Sequence, residues 1–235
     1  MIKLFITGTD TNIGKTYISI GLLEKFTKIG LTTLGTKPLA SGCYKENDKL
    51  ISQDAVELMK ASSVKVDYQL VNPFAFKRAI APHIAAKQEN YPLTKIKIEQ
   101  AMLRMLSIPS DVTIIEGVGG WCTPINENEL MADVITSMKL PVILVVGLKL
   151  GCLNHSILTA QAIKEAKLPF IGWIGNCIDP NMQAMSENIE SLKSLITAPC
   201  LGIVQYRHKV DHLNLEPIFR HCLGVGLLRQ QRTLF

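Results

Sequence analysis

Apolar residues fall into six short runs separated by stretches of helical periodicity. The runs are "KLFITG" (Lys3 to Gly8), "LTTLGTKP" (Leu31 to Pro38), "VTIIEG" (Val112 to Gly117), "PVILVVG" (Pro141 to Gly147), "FIGWIGN" (Phe170 to Asn176) and "PCLGIV" (Pro199 to Val204). Each reads as a strand, the second stopped by Pro38. After the first run, Ile18, Leu22, Leu23 and Phe26 recur at helical spacing until Gly30. Further helices are predicted near Lys95 to Ser107, Leu130 to Lys139, Asn154 to Ala166 and Met182 to Thr197. The strand runs do not alternate apolar with polar residues, so both faces are buried, as in a parallel sheet covered by helices on each side. The expected fold is α/β: a doubly wound, mostly parallel sheet in a single domain spanning 1–235. The stretch 43–92 is less regular and rich in proline, and is expected to be an insertion or lid on that domain. The tail, 224–235, reads as either a last strand or a frayed end.

Ligands of such sheets bind beyond the carboxyl ends of the strands. Each polar cluster of this chain follows a predicted strand: Gly8 to Thr16, Lys37 to Ser41, Glu116 to Gly120, Lys149 to Asn154, and Asn176. They are therefore expected to form one site.

Composition narrows the ligand. The 235 residues carry a formal charge of +5, spread without a basic run, which argues against a nucleic-acid groove and suits a small anion. No apolar run approaches the ~18 residues of a membrane span, and the N-terminal "MIKLFITGTD" reads as a buried strand and not as a signal peptide. The six cysteines form no C-x-x-C pair and read as free thiols of a reducing, cytoplasmic compartment. Cys152 and His155 lie three apart, but no second pair completes a tetrahedral zinc site.

"GTDTNIGKT", Gly8 to Thr16, lies between a strand and a helix. In that setting successive backbone N–H groups and the helix N-terminus face an anion. Gly14 permits close approach, Lys15 reaches the β- and γ-phosphates, and the Thr16 hydroxyl suits Mg²⁺. Five residues separate Gly8 from Gly14, where the usual phosphate loop has four. Glu116 closes a buried strand, where a carboxylate needs a cation, and "GVGG" follows it. Asp54 is a second metal candidate, with a helix-starting acid as its plainer reading. Lys37, at the end of the second strand, would neutralise charge as a phosphoryl group moves, or extend to solvent.

Taken together, "GTDTNIGKT", "KPLASG", "IEGVGGW", "TPI", "LPVILVVGLKLGCLNH" and "LTAQAI" resemble the segments of the dethiobiotin synthetase family, in order and spacing, from Phe5 to about Val204. The five-residue gap is that family's own form of the loop. The resemblance implies a P-loop fold, a homodimer, and Mg²⁺-dependent use of ATP to join CO₂ to 7,8-diaminononanoate. It implies that Lys15 and Lys37 act on the transferring phosphoryl group. Thr16, Asp54 and Glu116 would hold Mg²⁺. Asn12, Ile13, Gly14, Lys15, Thr16 and Tyr17, with Glu116, Gly117, Val118 and Gly119, would line the triphosphate. Ser41 would contact the diamine or its carbamate, and Asn176, beside Cys177, would read the adenine edge. Gly151, Cys152, Leu153 and Asn154 would receive the substrate carboxylate of a partner subunit.

Three departures from the family concern the nucleotide. Asn12 stands where the family often has Glu, Cys177 where it often has Asp, and "GIVQYRH" replaces a proline-containing turn. A P-loop switch ATPase of the partition type is the alternative from another class. Its signature lysine would stand five residues before Lys15, where this chain has Asp10. A corrinoid amide ligase would require a glutamine-hydrolysing domain, and no cysteine here lies in a matching context.

Overall fold

The structure is a computed structural model, and it describes residues 1–210 and 212–223. The tail from 224 onward lies outside the described residues. The chain opens with β1 (Ile2–Gly8), α1 (Lys15–Lys28) and β2 (Thr33–Thr36). Short elements follow: β3 (Leu39–Ser41), β4 (Tyr44–Glu46), β5 (Lys49–Ile51), α2 (Gln53–Ala61), α3 (Tyr68–Val71), β6 (Phe74–Phe76) and α4 (Pro82–Gln88). The remainder is regular: α5 (Lys95–Leu106), β7 (Val112–Glu116), α6 (Met131–Ser137), β8 (Val142–Leu148), α7 (Cys152–Glu165), β9 (Phe170–Cys177), α8 (Met185–Leu195), β10 (Cys200–Val204) and α9 (Glu216–Leu223).

All six predicted strands join one sheet, in the order β10-β9-β8-β1-β7-β2, and every pairing in it is parallel. Alternate residues of β1, β7 and β8 feed separate cores. Ile2, Leu4 and Ile6 of β1 pack with Ile18, Leu22 and Phe26 of α1 on one face. Phe5 turns to the other face, with Ile115, Leu144 and Trp173. Full burial of such a side chain stabilises the fold by roughly 1.5–3 kcal/mol, which explains why the strands are apolar throughout. Phe219 of α9 meets Phe26 edge-on, with ring centroids 5.9 Å apart, closing the α1 face.

The stretch 43–92 is more ordered than its sequence pattern suggests. A parallel pair, β3 with β6, and an antiparallel hairpin, β4 with β5, frame three helices. Strands of three residues carry too little periodicity to be read before their partners are known.

Parallel register then sets the site. Ile6 pairs with Glu116, and Gly8 with Val145. The loop after β1 thus emerges between the ends of β7 and β8.

Candidate active site

β1 ends at Gly8, and six residues later Gly14 starts α1 with φ 86°. A Cβ at Gly14 would lie 2.2 Å from Asn176 Nδ2, so glycine is required there by both backbone and space. Asn176 donates from Nδ2 to the Ile13 carbonyl at 2.8 Å and so buttresses the loop from β9. Ile13 itself is fully buried.

Around this loop lies a cleft of about 490 Å³ lined by Asn12, Gly14, Lys15, Thr16 and Tyr17 of the first segment. Lys37, Ser41, Asp54, Glu116, Val118 and Gly119 line the rest, with Glu57 beside them. The strand-tip clusters of β1, β2 and β7 therefore do meet. Gly117 contributes its carbonyl, which accepts from Lys37 Nζ at 3.2 Å.

Two buried cations and two acids occupy the floor. Thr16 Oγ1 donates to Glu116 Oε1 at 2.9 Å, and Lys37 Nζ donates to the same oxygen at 2.5 Å. Lys37 also pairs with Asp54 Oδ2 at 2.9 Å. Burial opposes the Lys37 charge, but Glu116 and Asp54 outweigh it and hold the ammonium above its ordinary pKa. Burial likewise opposes the Asp54 carboxylate, and Lys37 outweighs it, so that carboxyl is held below its ordinary value. Glu116 is 1% exposed, and burial pushes its carboxyl up while Lys37 pulls it down. Lys15, 6% exposed, has no carboxylate in contact among the described residues. Burial, and then repulsion from Lys37, pull it down to about 8.

Glu116 Oε2 is buried without a hydrogen-bond partner among the described residues. With Thr16 Oγ1 and the Asp54 carboxylate it makes an all-oxygen donor set, which fits Mg²⁺. Among the described residues no group of three His, Cys, Asp or Glu forms a metal cluster. Two carboxylates and a hydroxyl suffice for Mg²⁺, which takes its remaining ligands from phosphate and water.

Asp54 sits in the first turn of α2, whose N-cap Ser52 accepts from Ala55 N. The plainer sequence reading of Asp54, an acid that starts a helix, thus holds, and the same carboxylate also pairs with Lys37. Its placement depends on residues that the sequence analysis overlooked. Ser52 N donates to the Tyr68 hydroxyl at 2.7 Å, Tyr68 donates to Asn72 Oδ1 at 2.8 Å, and Asn72 Nδ2 donates to the Lys37 carbonyl at 2.5 Å. This relay ties the start of α2 to the end of β2. No local pattern marks Tyr68 or Asn72. Glu57 was findable, since it lies one helical turn beyond Asp54.

Other expected residues lie elsewhere. Asn176 and Cys177 end β9 behind the loop and do not line the cleft; Cys177 is buried, with Sγ 3.6 Å from the Asp179 carbonyl. Gly151 caps α7 with φ 91°, followed by buried Cys152, half-buried Leu153 and exposed Asn154, and none of the four lines the cleft within one chain. Gln205 precedes the turn whose His208 carbonyl accepts from the Tyr17 hydroxyl.

The chain matches the family model of an AAA domain over residues 3–213. It is 44% identical to the ATP-dependent dethiobiotin synthetase BioD of Cellvibrio japonicus, covering 91% of this chain and 96% of that protein. It is 40% identical to the enzyme of the same name from Pseudomonas aeruginosa, covering 97% and 100%. The chain belongs to the dethiobiotin synthetase family.

The fold reaches further than the family. The septum site-determining protein MinD of Pyrococcus horikoshii, solved with Mg-ADP, superposes with a TM-score of 0.56 at 13% identity over 96% of this chain and 98% of that one. That likeness is one of P-loop fold alone. The partition-type alternative is a distant structural relation of this kind, and Asp10 holds the position of its signature lysine. As a dethiobiotin synthetase family member the chain is an ATP-dependent ligase of biotin biosynthesis. Among the described residues no helix is long and apolar enough to cross a membrane.

Proposed function

We propose that this chain converts 7,8-diaminononanoate, CO₂ and Mg·ATP into dethiobiotin, ADP and phosphate. The observation that carries the reading is the convergence of Lys15, Thr16, Lys37, Asp54 and Glu116 on one cleft at the end of β1. One amine of the substrate adds to CO₂ and loses a proton, giving a carbamate. A carbamate oxygen attacks the γ-phosphorus and ADP leaves. The second amine then attacks the carbonyl carbon of the mixed anhydride, expels phosphate and loses a proton, closing the urea ring.

Lys15 and Lys37 are the catalytic residues of this reading. Lys15 rises from the loop toward the β- and γ-phosphates, and Lys37 faces the transferring group, where preorganised positive charge lowers the barrier. Thr16, Asp54 and Glu116 hold Mg²⁺, which when bound screens the phosphate charge. Ser41, which lines the same cleft, contacts the diamine or its carbamate, and the backbone of Gly117 to Gly119 lets the phosphates approach closely. Asn176 offers its remaining amide atoms to the adenine edge. A homodimer brings Gly151 to Asn154 of each copy to the substrate carboxylate of the other, at a helix N-terminus suited to an anion. The stretch 43–92 is an insertion within one domain, since it supplies Asp54 and the relay to Lys37.

The test is mass-spectrometric detection of a cyclic urea from diamine, bicarbonate and Mg·ATP. Formation of dethiobiotin with one ADP per product supports the reading. ATP hydrolysis indifferent to the diamine overturns it.

A further inference from the structure

The front of the phosphate loop is pinned to the end of β8 by contacts that the reaction above does not use. Thr9 N donates to the Val145 carbonyl at 3.1 Å, and Gly147 N donates to Thr9 Oγ1 at 3.4 Å. One residue further, the Asp10 carboxylate divides its oxygens. Oδ1 accepts from Thr11 N at 2.7 Å, and Oδ2 accepts from Lys149 Nζ at 2.9 Å. The backbone carbonyl of the same Asp10 accepts from Lys15 Nζ at 2.9 Å. A buried ammonium must keep a hydrogen-bond partner, and this carbonyl supplies it.

We propose that Asp10 and Lys149 are a positioning pair for Lys15: their ion pair fixes the carbonyl on which the Lys15 ammonium rests, and so sets where that ammonium meets the phosphates. The side chains of the pair are 43% and 37% exposed, so its contribution to stability is small. Its effect on reaction geometry need not be small, because displacement of a catalytic group by about 1 Å can cost about a hundredfold in rate. A pair kept for stability and a pair kept for positioning therefore predict different measurements. The pair also explains the acid at this place in the loop: the position is occupied by a carboxylate whose cation is Lys149, the residue that follows the end of the neighbouring strand β8.

The inference rests on Lys15 acting on the nucleotide, and its test separates the two ideas. Asp10→Asn keeps an acceptor for Thr11 N and removes the charge. Lys149→Met keeps the stem and removes the ammonium. Each is expected to lower kcat about tenfold while KM for ATP changes less than threefold, and ATP affinity without diamine weakens about twofold to threefold. Melting temperatures should stay within about 3 °C of the parent. The double variant should be no worse than either single, and Lys149→Arg should restore most of the loss. If the parent protein forms no urea, the reaction assigned above fails, and ATP affinity alone then decides the pair. The pair is overturned if either single variant keeps kcat and ATP affinity close to the parent's, if the two losses multiply in the double variant, or if the loss follows a collapse in melting temperature.

Discussion

Lys37 Nζ lies 2.5 Å from Glu116 Oε1, and both side chains are closed off from water. The pair joins β7 to the end of β2, and Asp54 reaches the same ammonium from α2. One cation thus holds together the two acids assigned to the metal.

Lys37→Ala leaves Glu116 buried without its cation. Breaking such a pair costs about 3–5 kcal/mol, and the half-exposed Asp54 is free to relax. Urea unfolding should show the loss in metal-free buffer and a partial recovery with Mg²⁺ and nucleotide. Turnover should fall by about a hundredfold or more, since the charge acts on the transferring group. Unchanged stability would mean that Glu116 is held by other contacts.

Glu116→Gln removes the orphaned oxygen as an anionic ligand while preserving size. The Mg²⁺ concentration that gives half-maximal turnover should rise at least about tenfold. A magnesium titration that overlays the parent's would place the metal on other residues.

Lys15 titrates near 8 in the free protein, against an ordinary 10.5. Between those values the unfolded chain binds more protons than the folded one, so this group makes the free protein more stable as pH rises through that window. A triphosphate beside the ammonium draws the proton back. ATP affinity should therefore be level below about pH 8 and fall by up to about tenfold per unit above it. Calorimetry near pH 8.5, in two buffers of different ionisation heat, should register proton uptake on binding; proton release would refute the assignment.

Tyr68→Phe cuts the relay between Ser52 and Asn72, leaving two buried groups without partners. The expected cost is about 1–3 kcal/mol, with faster hydrogen exchange in the first turn of α2. Turnover should drop although Tyr68 lies outside the cleft lining. A variant with wild-type exchange at Asp54 would remove the relay from the account.

The sheet was legible because β1, β7, β8 and β9 are apolar on both faces, a pattern that only a covered parallel sheet explains. The nucleotide loop was legible because its glycine and lysine fall between a strand and a helix. Predicted and observed helices differ by at most three residues at their ends: the helix expected from Lys95 begins there, that expected from Asn154 begins at Cys152, and that expected from Met182 begins at Met185. The path from β3 to α4 was not legible, since its strands are stabilised by pairings such as Leu39 with Phe74 that are distant in sequence. Nor could the sequence reveal that Asn176 spends an amide hydrogen on Ile13, or that one ammonium serves both Glu116 and Asp54. These are facts of direction, and side-chain direction across neighbouring strands is set by the assembled sheet.

The pairing of Ile6 with Glu116 has a consequence for how this chain can change. Successive residues of a strand point to opposite sides, so inserting or deleting one residue in Val112 to Ile115 would turn the acid away from the cleft and drive an aliphatic side chain into its place. Lengthening the connections on either side carries no such penalty. Drift in length is therefore confined to the loops, and the count from the start of the strand to its acid can vary only by an even number.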